Sequence, residues 1–340
     1  MDLQTLWFII IAFFWAGYFM LEGFDFGVGM LLPFLPRDEG ERQAMFASIG
    51  PVWDGNEVWL VVAGGATFAA FPSWYASMFS GFYLALLLVL ACLIVRVLSF
   101  EWRTKSESPG WRRVWTGANA AGSFGASLVW GVGLANLLYG VPLNSSGDFT
   151  GSFWDLFNPY TLFGGVAFVL LFTFHGATFL TLRTRDDLCD RAARTARRLA
   201  IPAAVITALF VVATVVVATQ HNHKSEFPPV LPAALANVSL LLAVVMTIRS
   251  RHGWAFVSTA CAAVLMTATL FTSLYPRVMV SRPNFANSLT VDSASSAHYT
   301  LAVMTVIALT VTPLILLYQG WTYHVFRHRV GGDAAAESHL

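Results

Sequence analysis

The sequence predicts an all-α, polytopic integral membrane protein with nine transmembrane helices. Three observations lead there. Of its 340 residues, 56% are hydrophobic and 11% charged, less than half the roughly 25% typical of soluble domains. Nine apolar runs are long enough to cross a bilayer, which takes about 20 residues. The basic residues crowd onto alternate connections between those runs.

The first run, Leu6–Leu32, has no basic leader and no small-residue cleavage site after it, so it reads as a retained span. The second, Phe46–Phe71, is the most polar, and the third covers Trp74–Phe100. Val114–Val141, Pro159–Leu182, Leu199–Gln220, Val230–Ile248, Trp254–Tyr275 and Tyr299–Phe326 follow. All are predicted helical, because only a helix satisfies its own backbone in lipid. Seven tryptophans, including Trp7, Trp74, Trp111 and Trp254, fall toward span ends, as an interfacial belt requires. Glycine is concentrated in the first five runs, which predicts close helix packing there and looser support from the later ones.

Arg37 and Arg42, then Arg103, Lys105, Arg112 and Arg113, then the six arginines from Arg183 to Arg198 lie on alternate connections. Arg249, Arg251, Arg327 and Arg329 continue the series, and only Lys224, Arg277 and Arg282 lie on the other side. This asymmetry predicts a plasma-membrane protein with its N-terminus outside and its C-terminus cytoplasmic. The opposite side, with Asn144–Asp148 and Pro276–His298, is rich in turn residues. His221-Asn222-His223 reads as a solvated loop, the tail Gly331–Leu340 as disordered, and His324, Arg327 and His328 as headgroup contacts.

Several function classes drop out. A net charge of +1 provides no basic field for nucleic acid. Cys92, Cys189 and Cys261 match no metal or haem-attachment spacing. No nucleophile constellation or phosphate loop is present, so the chain alone offers no catalytic, cofactor-binding or metal-ligating residues. His175, a lone intramembrane histidine, reads as a hydrogen-bonded packing residue rather than a haem ligand.

What remains is a set of acids inside apolar runs. Glu22 and Asp25 lie in the first; Asp54 and Glu57, with Trp53 and Asn56, open the second. An acid at mid-bilayer costs about 3 kcal/mol, so such groups face protein or water and mark function. At 1.5 Å rise per residue, Asp25 and Asp54 fall about 12 Å from the cytoplasmic boundary, and Glu22 and Glu57 about 16 Å. This predicts that Asp25 meets Asp54 and Glu22 meets Glu57. Arg96, in the third run, can turn toward them as an ion pair or toward the interface. The cluster fits helix bracing, a cation site of hard oxygen ligands, or a proton path opening inward. A proton- or cation-coupled secondary transporter would need inverted repeats with broken helices at a midplane site, which the sequence does not display.

The residues Gly23-Phe24-Asp25-x-Gly27-Val28-Gly29-Met30-Leu31 and Trp53-Asp54-Gly55-Asn56-x-Val58-Trp59-Leu60 resemble subunit II of the cytochrome bd quinol oxidases. Ala63-Gly64-Gly65-Ala66, Phe79-Ser80-Gly81-Phe82-Tyr83, Asn287-Ser288-Leu289-Thr290 and Pro313–Tyr318 extend that resemblance over nearly the whole chain. It implies two four-helix bundles plus one peripheral helix: residues 1–141, residues 159–275 and the helix at 299–326, with 327–340 as tail. It implies a heterodimer with a haem-bearing subunit I, which holds heme b and heme d, oxidises quinol and reduces oxygen to water. This chain would ligate no haem and would supply protons from the cytoplasm, with Asp54 beside Trp53 on the route and Asp25 facing it. The resemblance also allows a structural quinone and a small single-helix accessory subunit among the membrane lipids. Glu22, Glu57 and His175 depart from the residues usual in that family, as does the short segment between the sixth and seventh runs.

Overall fold

The computed structural model describes residues 2–223 and 229–331. Lys224 and the tail beyond Gly331, both assigned above, lie outside them. Among the described residues the chain forms helices α1 (Leu3–Leu31), α2 (Glu39–Ile49), α3 (Trp53–Ala70), α4 (Pro72–Gly81), α5 (Tyr83–Trp102) and α6 (Pro109–Tyr139). Then come α7 (Pro159–Arg183), α8 (Asp186–His221), α9 (Val230–Ile248), α10 (His252–Leu274) and α11 (His298–Val325). Among the described residues, eight helices are long and apolar enough to cross a membrane: α1 and α5 through α11. That confirms an all-α polytopic membrane protein.

The ends follow from capping chemistry. Asp2 Oδ1 accepts from Thr5 N at 2.7 Å to start α1. Asp38 does the same for α2 through Glu41 N at 2.9 Å. Pro72, Pro109 and Pro159 occupy first-turn positions, where a missing N–H costs nothing.

Two predicted runs are not continuous. Gly50-Pro51-Val52 separates α2 from α3, so the Phe46–Phe71 run holds the last turn of α2 and then the 18-residue α3. The proline explains the break: its ring clashes with the preceding turn and it has no N–H to donate. The depths counted from an unbroken helix starting at Phe46 therefore do not hold. Likewise the Trp74–Phe100 run divides near Phe82 into α4 and α5. In the other direction, α8 extends through the arginine-rich segment and reaches 36 residues, about 54 Å long.

The core is α1, which packs on α3, α6, α7 and α10. Glycine sets these distances. A Cβ on Gly27 would meet the Phe172 carbonyl oxygen at 1.9 Å, and one on Gly176 would meet Gly27 C at 2.4 Å. Backbones this close gain the packing that holds helices together in lipid, where the hydrophobic effect is spent. At the other extreme α11 is the least enclosed span, with 6% of its apolar window buried against 61% for α1.

Chemistry divides the two ends of the bundle. At the basic end, Glu39 of α2 pairs with Arg42 at 3.1 Å, with Arg112 at 3.7 Å and with Arg103. Glu41 pairs with Arg191 of α8. At the opposite end, Asn136 Nδ2 donates to Leu156 O at 2.8 Å and Asn287 Nδ2 to Leu143 O at 2.8 Å. There the predicted turn segment after Tyr275 contains a small antiparallel pair, β1 (Arg277–Met279) and β2 (Leu289–Thr290). His221-Asn222-His223 is not a solvated loop: buried Asn222 donates to Ser273 O at 2.7 Å and Leu274 O at 2.8 Å.

Candidate functional site

The polar centre is assembled on α1. Glu22 and Asp25, three residues apart, share one face of the helix, and both are fully buried. Arg96 of α5, also fully buried, turns inward: its Nη1 pairs with Glu22 Oε1. The guanidinium lies 5.0 Å from the Phe26 ring centroid and 6.0 Å from that of Phe100, both within cation–π range. It also attracts Asp25 and Glu57 electrostatically.

The neighbouring α6 fixes the arginine's backbone. Asn119 Nδ2 donates to Ser99 Oγ at 2.7 Å and to the Arg96 carbonyl at 3.3 Å, which also accepts from Ser99 Oγ at 2.5 Å. A Cβ on Gly122 of α6 would meet the Cys92 carbonyl oxygen at 2.5 Å, so this glycine allows the close approach.

A second branch runs from Asp25 toward α3 and α11. Asp25 Oδ2 accepts from Asn56 Nδ2 at 2.7 Å. Asn56 Oδ1 accepts from Tyr323 OH at 2.7 Å and Gln319 Nε2 at 3.0 Å, and Gln319 Oε1 accepts from Trp59 Nε1 at 2.7 Å. Two donors on Oδ1 oblige the Asn56 amide nitrogen to face Asp25, so the network itself assigns its orientation.

The pairs read from depth are not the ones that form. Asn56, not Asp54, meets Asp25, and Arg96, not Glu57, meets Glu22. Asp54 is exposed at the head of α3, and Glu57, one turn further on, is partly buried. Neither has a hydrogen bond or ion pair among the described residues. Trp53 stacks on Phe100 at 5.3 Å, the ring whose centroid also lies 6.0 Å from the Arg96 guanidinium. Gln319 and Tyr323 were missed from sequence, although an amide inside the last apolar run, four residues before a tyrosine, was a signal that could have found them.

His175 belongs to a different cluster. Its Nδ1 lies 2.7 Å from Thr259 Oγ1 and its Nε2 3.0 Å from the Met20 carbonyl oxygen, while its ring stacks on Phe256 at 4.8 Å. Both ring nitrogens are thus engaged by protein. Among the described residues no three His, Cys, Asp or Glu side chains gather as a metal site.

Chemically, Glu22 is paired with the one guanidinium of the set, and Asp25 and Glu57 lie within reach of its charge. Uncompensated charge is costly at this burial, so the balance within the set depends on proton occupancy. An arrangement of this kind can take up and pass on protons.

Comparison with known proteins was made on this geometry. The sequence profile of cytochrome bd terminal oxidase subunit II matches residues 3–326. The chain is 40% identical over 329 residues to cytochrome bd ubiquinol oxidase subunit 2 of Bacillus subtilis (strain 168), covering 97% of each chain. It is 39% identical over 355 residues to cytochrome bd-I ubiquinol oxidase subunit 2 of Escherichia coli (strain K12), covering 94% of this chain and 93% of that one. Its fold is similar to a chain of the bd oxidase from Geobacillus thermodenitrificans, with a TM-score of 0.79 at 17% identity, over 96% of this chain and 99% of that one.

Proposed function

The chain belongs to the cytochrome bd terminal oxidase subunit II family, and from that premise we propose that it is the subunit that ligates no haem and delivers protons from the cytoplasm. Its partner in this reading is a haem-bearing subunit I, where heme b and heme d carry electrons from quinol to oxygen. The complex reduces oxygen to water and is electrogenic. With α3 crossing as the ninth span, the N-terminus lies outside and the basic end faces the cytoplasm.

The observation that carries this reading is a gradient of burial along the acids. Asp54 is exposed, Glu57 is partly buried, and Asp25 and Glu22 are fully buried. Asp54 takes up the proton at the head of α3, held there by the stacking of Trp53 on Phe100. Glu57 carries it one turn inward. Asp25, oriented by Asn56, is the inner relay, and Glu22, clamped by Arg96, is the fixed counter-ion.

The outer face of α3 supports the pairing with subunit I. Val58, Val61 and Phe68 are 47%, 72% and 58% exposed. Gly55, Gly64 and Gly65 would place a Cβ in open space, so another helix can approach this face closely.

Asp54→Asn keeps the shape of the side chain but cannot ionise. In the purified complex we expect normal assembly and haem content, and quinol-driven oxygen consumption per haem lowered about 10-fold or more, a barrier increase of at least about 1.4 kcal/mol. Asp54→Glu should restore part of the rate. Full turnover per haem in Asp54→Asn would remove Asp54 from the path.

A further inference from the structure

At the basic end, where α2 meets the turn between α5 and α6, lies a cavity of about 560 Å³. Glu39, Arg42, Glu107, Arg112 and Arg113 line it, with Gly117 on its membrane side. The charges are not equivalent. Glu39 is neutralised by Arg42, Arg112 and Arg103. Glu107 and Arg113 are exposed, and neither has an ion pair or hydrogen bond among the described residues. The cavity therefore offers one free anion and one free cation, backed by the partly engaged Arg112.

Its surroundings fix the level at which it sits. Trp102, Trp111 and Trp115 form an edge-to-face group with centroids 5.4 and 5.8 Å apart, and Trp111 Nε1 donates to Trp102 O at 2.6 Å. Tryptophans grouped in this way sit at headgroup depth. From the cavity, exposed Val114, Gly117, Ala121 and Phe124 continue down one face of α6 at spacings of three and four. A Cβ on Gly117 would meet nothing within 4 Å, so the start of that stripe is open.

We propose that this cavity binds the headgroup of an amino-phospholipid of the phosphatidylethanolamine type. The phosphate lies against Arg112 and Arg113, the primary ammonium donates to Glu107, and one acyl chain follows the apolar stripe of α6. Charge complementarity selects this occupant. A glycerol headgroup gives Glu107 no cation, and a choline headgroup gives it no N–H donor. The proposal rests on the membrane-spanning fold and stands or falls independently of the proton route.

The test uses the intact complex, delipidated in detergent and offered mixed micelles of phosphatidylethanolamine, phosphatidylglycerol or phosphatidylcholine, with retained lipid measured by native mass spectrometry. Phosphatidylethanolamine should be retained about tenfold better than either competitor, the effect of one charge-assisted hydrogen bond. Glu107→Gln should abolish that preference while leaving binding, and Arg112→Gln with Arg113→Gln should weaken retention of all three. Glu107 and Arg113 are exposed, and Glu39 keeps Arg42 and Arg103 when half-buried Arg112 is replaced, so these variants should fold. Phosphatidylglycerol retained equally well and unaffected by Glu107→Gln would overturn the proposal. So would displacement of the lipid by equimolar inorganic phosphate, or retention that neither variant changes.

Discussion

On one side of α1, Glu22 and Asp25 meet Arg96 of α5 and Asn56 of α3; on another, the Met20 carbonyl meets His175 of α7. Both clusters are buried, yet they are built differently. Around His175 each ring nitrogen has a partner, Thr259 is shared with Thr178, and Phe256 covers the ring. Around Glu22 and Asp25, by contrast, Glu22 Oε2, Asp25 Oδ1 and Arg96 Nε have no hydrogen-bond partner among the described residues. Buried polar atoms in native interiors are mostly paired, so the two clusters differ in how completely the protein satisfies them. The paired cluster is a helix fastener, and the difference between the two can be broken by mutation.

The largest effect is expected at Arg96. Arg96→Met strands Glu22 without its counter-charge, and removing one partner of a buried ion pair costs about 3–5 kcal/mol. The yield of assembled complex should collapse. Glu22→Leu combined with Arg96→Met should restore assembly, since apolar replacement of a buried pair is often tolerated, but turnover per haem should stay low because the remaining carboxyls have lost their cation. Assembly together with full turnover in the double variant would reduce the pair to a brace.

His175 sharpens the other side of the comparison. His175→Gln retains a donor but loses the Phe256 stack and one well-placed hydrogen bond, for about 1–3 kcal/mol. The thermal midpoint of the complex should fall while turnover per haem stays at the wild-type value. A selective loss of turnover would mean that this cluster is more than a fastener.

The smallest effect should come from Tyr323→Phe. Asn56 keeps its bond from Gln319, so about 1 kcal/mol is at stake. Turnover should change by no more than about fivefold. A loss as deep as that of Asp54→Asn would show that α11, the least enclosed span, controls the inner relay.

Much of this protein was legible in its sequence. Length of apolar run fixed the spans from α6 onward, because lipid leaves the backbone no alternative to a helix. Asp25, Asn56 and Arg96 stood out because polar groups inside such runs are costly enough to need a reason. The family followed from the residues around Asp25 and Asp54. Which polar groups meet was another matter. Counting residues gives depth along a helix but not rotation about it, and Asp54 and Asn56, two residues apart, point roughly 200° away from each other. In lipid both faces of α3 are apolar, so hydrophobic periodicity does not choose between them. The choice was made by contacts distant in sequence: Asn56, Trp59, Ala63, Thr67 and Ala70 turn inward, and Gln319 and Tyr323 arrive from the far end of the chain to hold Asn56 against Asp25.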